Sequence, residues 1–402
     1  MDVISSVPDE IIGHILSFLS TKEAVSTSLL SKRWRNLCAF SPNLHLDEFH
    51  YRNPNNSTSF IDFVDNIFAV SGNSPLKQFT LKHRQQSVDD ATRVNSLICN
   101  VLTRGVLDLN LFIAGKSNYS LPLEFFTCKT IVNLKLGMGF GIGIVPESAS
   151  LPALKTLFLD HVGFSSDVQA LISACHVLEE LTIRVDDCLH WKRTISCPTL
   201  QRLIITCQAF KACDPYRAKR VTFDTPNLSY LEYCDSVSNE YQAVNLDSLV
   251  EAKLTFESWT GNPQDLFNGL RSVKILELSD YQTSKVLFFF HMIEIPVFTK
   301  LLRLSGSSCY DSSCDAQNGC FCEWRYSYEE TCPLKVLEIK EYKGTENELV
   351  HMKRFLEELQ CLELVKIWSC EADHKKQLQL TNDLLRLGRP SKCKIQFEFN
   401  PS

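Results

Sequence analysis

No basic segment followed by an apolar run opens the sequence. Met1-Asp2-Val3 leads directly into Ser5 and Ser6, so no secretory leader is expected and the chain reads as intracellular, in nucleus and/or cytoplasm. Nor does any stretch reach the roughly 18 unbroken apolar residues of a membrane span. Val286 to Phe298 comes nearest and is interrupted by His291, Glu294 and Pro296. Positive charge is also short: 41 Lys and Arg stand against 47 Asp and Glu, a net charge of -6. That balance argues against nucleic acid or an anionic membrane as the main partner, because both demand a broad basic surface. The basic spot at Lys32, Arg33 and Arg35 is too short to reverse it.

Motifs of chemistry are equally scarce. The 17 cysteines are odd in number and scattered, and with no leader most are expected to be reduced thiols packed as small hydrophobes. The densest group, Cys309, Cys314, Cys320, Cys322 and Cys332, meets the paired spacing of a zinc site only in part. No metal is assigned. Gly137, Gly139, Gly141 and Gly143 alternate, but fit neither phosphate-loop spacing and have no lysine at the required place. A flexible connection between repeats is expected there. His161, His176, His190 and His291 lie in no nucleophile or metal motif, and Asp186-Asp187 and Glu357-Glu358 read as solvated charge. No catalytic residue and no cofactor is assigned.

What is present falls into two styles. Residues 3–46 read as helical. Ser5-Ser6-Val7-Pro8-Asp9-Glu10 carries hydroxyls to cap, a proline for the first turn and acids for the positive helix end. Ile11, Ile12, Ile15, Leu16 and Leu19 follow at helical spacing. Thr21 and Ser31 are positioned to cap two further short helices, the last holding Arg33, Trp34, Leu37 and Cys38. So small a unit cannot bury all its aliphatics alone. Its surplus apolar surface either seeks another protein or caps the segment that follows.

From residue 60 a weak repeat appears: an apolar residue, two variable ones, an apolar residue, one variable one and another apolar residue. It occurs at Leu76/Phe79/Leu81, Ile131/Leu134/Leu136, Leu154/Leu157/Leu159, Leu178/Leu181/Ile183 and Leu200/Leu203/Ile205. It continues at Leu228/Leu231/Tyr233, Leu249/Ala252/Leu254, Val273/Leu276/Leu278, Leu334/Leu337/Ile339 and Leu362/Val365/Ile367. Leu107/Leu109/Leu111 is read as a further member and Thr299/Leu302/Leu304 as a degenerate one. Most units are separated by the interval of leucine-rich repeats. Pro152, Pro198, Pro226 and Pro333 introduce several of them, and Val168–Ala174 has a helical pattern. Each unit buries its apolar face only against its neighbours, which predicts a β/α solenoid. Ser305 through Gly319 carries no repeat, so continuity near residue 305 is open, either a missing repeat or a loop. Beyond it, Thr345-Glu346-Asn347-Glu348 spells a capping box before Leu349, Met352, Phe355, Leu356 and Leu359.

The run Val7-Pro8-Asp9-Glu10-Ile11-Ile12 with Leu30-Ser31-Lys32-Arg33-Trp34-Arg35 strongly resembles the F-box of the plant family that couples an F-box to leucine-rich repeats and a C-terminal FBD region. Val7 stands where leucine is usual. Leu337-Glu338-Ile339 and Glu341-Tyr342-Lys343-Gly344-Thr345-Glu346 resemble its FBD region. The resemblance implies an α/β chain: a small all-α F-box at 1–46, irregular repeats in a curved solenoid at 60–304, a Cys/Ser-rich loop at 305–331 and an FBD-like strand–helix–strand region at 332–400. It implies a substrate-recognition subunit of an SCF-type ubiquitin ligase, non-catalytic itself, joined through an SKP-type adaptor to cullin and RING subunits. Carried over by position, Pro8, Ile11, Ile12, Ile15, Leu16, Leu29, Leu30 and Trp34 would supply the apolar adaptor contact. Lys32 and Arg33 would face an acidic adaptor surface. The competing reading is a repeat scaffold that binds a partner without ubiquitination.

Overall fold

A side chain every second residue on a short strand can be buried on one face only, and a parallel neighbour at the same register continues that face. The computed structural model is built on this rule. It describes residues 7–19, 23–24, 27, 41–50, 60–84, 88–114, 119–164, 168–185, 193–207, 220–235, 240–256, 263–280, 298–307, 333–388 and 392–399. They fall into two units, Met1–Val185 and Asp186–Ser402.

The first unit opens with helix α1 (Asp9–Leu16) and strand β1 (Asn43–Asp47). Helices α2 (Phe60–Ser71) and α3 (Val88–Thr103) alternate with strands β2 (Gln78–Arg84) and β3 (Asp108–Ala114). Then come β4 (Tyr119–Ser120), β5 (Asn133–Leu136), β6 (Phe140–Ile142), β7 (Thr156–Asp160), β8 (Gly163–Phe164), helix α4 (Val168–Ser173) and β9 (Glu180–Val185). The main sheet runs β1-β2-β3-β5-β7-β9, with β4-β6-β8 as a small companion. Its strands are parallel, and one row of side chains passes Leu46, Leu81, Leu111, Leu136, Leu159 and Ile183 in register. All six are essentially inaccessible.

The second unit repeats the arrangement. Its strands are β10 (Arg193–Ser196), β11 (Arg202–Cys207), β12 (Arg220–Asp224), β13 (Tyr230–Asp235), β14 (Glu240–Val244), β15 (Glu251–Phe256), β16 (Ile275–Asp280), β17 (Arg303–Ser307), β18 (Val336–Lys340), β19 (Leu364–Ser369) and β20 (Lys394–Phe399). Helix α5 (Gln264–Gly269) precedes β16, while α6 (Glu346–Glu358) and α7 (His374–Leu385) flank β19. The order β11-β13-β15-β16-β17-β18-β19-β20 is again chain order, and β10-β12-β14 is the companion sheet. Here the middle members of the triplets form a buried row, Leu203, Leu231, Ala252, Leu276, Leu304, Leu337 and Val365, which Ile395 continues in register. Within each unit the product is the solenoid-like stacking of β/α repeats expected from the sequence.

The ten triplets read from the sequence occupy the interior, every member at most 2% exposed. Two others shift. Leu107 is 41% exposed, and the repeat's first residue is the fully buried Val106. Leu302 is 45% exposed while Leu301 and Leu304 are buried, so the degenerate repeat is Leu301/Leu304/Gly306, with Gly306 opposite Leu278 and Ile339. The same register corrects the loop reading after Leu304: residues 305–307 belong to β17, which bridges β16 and β18. The five clustered cysteines, including Cys332, lie outside the described residues. The ladder begins before residue 60, since Ser41, Leu44 and Leu46 are buried as a further triplet. It continues through β18, β19 and β20.

Prolines act one step earlier than a strand entry. The amides of Leu154, Leu200 and Leu228 donate to Leu151, Cys197 and Thr225 carbonyls at 3.2, 3.4 and 3.0 Å, which closes four-residue turns with Pro152, Pro198 and Pro226 at the second position that suits their fixed φ. The glycine run is a tightly packed connection, not the flexible one expected. Gly139 has φ +94, and a Cβ there would lie 1.5 Å from the Ile113 carbonyl oxygen. The capping box forms as read: Glu348 N–H donates to Thr345 Oγ1 at 3.3 Å and Thr345 N–H to Glu348 Oε2 at 2.7 Å. Cys99, Cys128 and Cys370 are free thiols, whereas Cys207 and Cys361 are each disulfide-bonded.

Candidate functional site

Helix α1 divides its apolar residues between a buried face and an adjoining exposed one. Ile12 and Leu16 are fully buried and form a small core with Ala24, against which Val7 and Leu19 pack. On the adjoining face Ile11 is 51%, Ile15 45% and Phe18 76% exposed. Positions 11, 15 and 18 are spaced by four and three, so they lie on one face in a continuous stripe. His14 packs edge-on to Phe18 with ring centroids 4.9 Å apart, and Ser17 Oγ donates to the His14 carbonyl at 2.6 Å, which closes the helix end. Asn43 Nδ2 donates to the Ser17 carbonyl at 3.2 Å and thereby ties this end to β1.

The ten adaptor-contact candidates therefore part company. Pro8, Ile11 and Ile15 are exposed. Ile12 and Leu16 face inward and pack with Ala24 in the helix's own small core. Leu29, Leu30, Lys32, Arg33 and Trp34 lie outside the described residues. The sequence reading missed Phe18, although its spacing from Ile11 and Ile15 was the available signal.

A second candidate surface is the face of each main sheet opposite its buried rows. In the first unit a shallow hollow of about 320 Å³ is lined by His45, Gln78, Thr80, Asp108, Asn110, Asn133, Lys135, Thr156 and Phe158, with backbone from Leu109 and Leu134. Asp108 accepts from Gln78 Nε2 at 2.9 Å and Asn133 Nδ2 at 2.5 Å. Lys135 and Arg184 approach the Phe158 ring at 4.4 and 5.1 Å from its centroid. In the second unit Arg202 lies 3.6 Å from the Tyr230 centroid and the Tyr230 hydroxyl donates to Glu232 at 2.7 Å. Burial, and then the bond to Glu232, pushes that phenol up to about 12. Lys253 and Lys340 pair with Glu277. The Glu338 carboxylate is buried, and burial alone would raise its pKa. Arg303 at 2.6 Å, Ser305 Oγ at 3.1 Å and Lys366 at 3.5 Å outweigh that and hold it below the usual carboxylate value. Lys135, Arg184 and Arg202 are thus fixed over aromatic rings on the open face. Lys155 is a peripheral exposed pair with Glu179.

Among the described residues no group of three or more His, Cys, Asp or Glu is arranged to hold a metal ion, and no helix is long and apolar enough to cross a membrane. His161 pairs with Asp160 at 2.9 Å at a turn of positive φ.

A helical module with an exposed apolar stripe, followed by parallel strands in repeat register with a polar open face, defines a β/α repeat protein. Comparison with known proteins makes the class specific. Residues 4–46 match the F-box domain. Residues 94–287 match the LRR repeats of the FBD-associated F-box protein At5g56370. The chain is 38% identical over 475 residues to putative F-box protein At3g58960 of Arabidopsis thaliana, covering 100% of this chain and 99% of that one. It is 38% identical over 460 residues to F-box/LRR-repeat protein At3g62440 of the same plant, covering 98% and 99%. F-box/LRR-repeat protein At3g58980, at 39% over 456 residues, is longer, with 74% of its length covered. The chain belongs to the F-box/LRR-repeat family.

Proposed function

We propose that this chain is the substrate-recognition subunit of an SCF-type ubiquitin ligase. Its F-box docks an SKP-type adaptor, and through it cullin and RING subunits, while the open faces of the repeat sheets hold a target protein. The observation that carries the first half is the stripe of Ile11, Ile15 and Phe18, apolar and exposed on a helix whose other face is already satisfied. Such a stripe fits a hydrophobic groove on a partner. Pro8 at the helix start extends it; Leu29, Leu30, Lys32, Arg33 and Trp34 complete the docking set by resemblance.

The second half is supported by the open faces, where amides, carboxylates and cation-covered rings are held in fixed positions without contributing to the core. The chain itself performs no bond chemistry in this reading. It raises the effective concentration of the target's lysines beside a charged conjugating enzyme bound elsewhere in the assembly. Placement in the nucleus and/or cytoplasm follows from those partners.

Co-purification of the full chain with an SKP-type adaptor and cullin, together with the lifetime of a captured target in cells with and without this chain, tests the reading. Adaptor and cullin recovery with a target that persists when the chain is removed supports it. A captured target whose lifetime is indifferent to the chain returns the protein to a scaffold that binds without ubiquitination.

A further inference from the structure

A stack of repeats leaves an open strand at each end unless something covers it, and an uncovered strand edge presents unpaired N–H and C=O groups to any chain that can align with it. At the start of the first unit, β1 is tied to the end of α1 through Asn43 and Ser17. At the end of the second unit, β20 is the last strand, and among the described residues no strand pairs with its outer edge. The side chains register this. Val365, Ile367 and Ser369 on β19 are 0, 0 and 3% exposed. Their partners Ile395, Phe397 and Phe399 on β20 are only half-buried, and the two phenylalanine rings stack at 5.9 Å.

The backbone direction is fixed by one hydrogen bond. Lys394 N–H donates to the Glu363 carbonyl on β19 at 3.0 Å. Polar groups of a strand alternate sides, so those of Lys394, Gln396 and Glu398 serve β19 while those of Ile395, Phe397 and Phe399 point to the free edge. Two copies of this strand laid antiparallel about a two-fold axis at Gln396 meet in a self-complementary register. Ile395 faces Phe397 of the second copy and the reverse, as hydrogen-bonded pairs with both outward amides satisfied. Lys394 faces Glu398 and Glu398 faces Lys394 at the closer non-hydrogen-bonded positions, with Gln396 on the axis. Apolar residues then meet apolar ones on the core face, and opposite charges meet on the open face.

We propose that the β20 edge is a homodimerisation surface, at which two copies of this chain join their sheets by antiparallel pairing centred on Gln396. The contact is isologous and closes as a dimer. It lies at the opposite end of the chain from the F-box, so it predicts a receptor that presents two docking modules per assembly.

The test is the mass of the full chain by light scattering and sedimentation, in reductant so that cysteine cross-links do not count, across about 1 to 100 µM. The probes are K394E, E398K and the double reversal K394E/E398K. Each single reversal places like charges opposite each other twice by symmetry and is expected to weaken the dimer at least about tenfold. The double reversal restores opposite pairing and with it the dimer, while thermal melting of all three stays close to that of the unmodified chain. Monomer at every concentration, dimer indifferent to the single reversals, or loss not regained in the double reversal would each overturn the proposal. A monomer that instead takes up an extended segment of another protein on this edge also overturns it, in favour of a heterologous occupant.

Discussion

Ile12 and Ile15 are chemically identical, sit less than one turn apart on α1, and are expected to fail in opposite ways. Ile15 is 45% exposed and Ile12 is fully buried in the core with Leu16 and Ala24. Changing Ile15 to Asp removes roughly half of an isoleucine's burial against the adaptor, about 1 kcal/mol, from a full value near 1.5–3 kcal/mol. It also forces a carboxylate into an apolar contact, which adds about 2 kcal/mol or more. The sum, about 3 kcal/mol, is a loss of adaptor affinity of roughly a hundredfold. In the free chain the new carboxylate faces water, so the fold should be untouched. Ile12→Asp places the same charge in the interior, where no partner waits, and should cost the helical module several kcal/mol of stability. Titration calorimetry of the full chain with an SKP-type adaptor, beside thermal melting of each variant, separates the two. Ile15→Asp that binds as tightly as the unmodified chain would refute the docking stripe. Ile12→Asp that melts normally and still binds would refute the division of faces.

Three further outcomes test the solenoid. Glu338→Gln should destabilise the second unit by about 1–2 kcal/mol at pH 7, because the charged partners Arg303 and Lys366 lose their shared carboxylate. Since the folded-state pKa of Glu338 lies below the 4.5 of an unperturbed glutamate, its contribution is full above that value and is lost as the pH falls through the depressed one. The gap between the two proteins in denaturant midpoint should therefore close with acidification. Arg104 is 6% exposed and donates to the Ser74 carbonyl at 2.5 Å and Ser71 Oγ at 3.0 Å, with its guanidinium over Phe68. Arg104→Ala should cost about 2–3 kcal/mol in melting experiments, and Arg104→Met clearly less, because methionine keeps the packing and avoids burying a charge. Gly139→Ala, with φ +94 and a carbonyl 1.5 Å from the added carbon, should cost more than about 3 kcal/mol or prevent folding, read as loss of the cooperative melt.

The repeat was legible because its period is enforced by burial. A leucine at the first, fourth and sixth positions of a unit is interior, and no other residue class can stand there cheaply, so ten triplets could be read directly. The two misplaced triplets show where the rule thins. At 106–111 a valine and a leucine are adjacent, and only the strand register decides that Val106 turns inward and Leu107 outward. At 301–306 the sixth position is Gly306, which carries no hydrophobic signal, so the triplet slid by two residues. The strand at 303–307 was hidden for the same reason, being Arg-Leu-Ser-Gly-Ser. The docking helix was legible as a motif, but the motif does not say which isoleucine faces which way. The open face was not legible at all. Its residues alternate with the core positions and are free to be anything, so Lys135, Arg184 and Arg202 look arbitrary until the neighbouring strands bring Phe158 and Tyr230 beneath them.

That freedom also sets the terms on which a target can bind. The cations named on the open faces are not waiting for partners; they are placed over rings or paired with Glu across neighbouring strands. A free lysine would lose rotamer entropy on binding, whereas one already held over Phe158 or against Glu277 has lost it on folding. Selectivity in such a surface comes from shape and from which few groups remain open between the fixed ones, rather than from net charge, since acids and bases nearly balance along it. Target recognition is then expected to depend only weakly on salt, and to be lost on removing a ring that seats a cation. Phe158→Ala should release Lys135 and Arg184 together and abolish target capture, while Lys155→Ala, whose pair with Glu179 is exposed on both sides, should leave it unchanged. Capture that survives Phe158→Ala would place the target elsewhere on the chain.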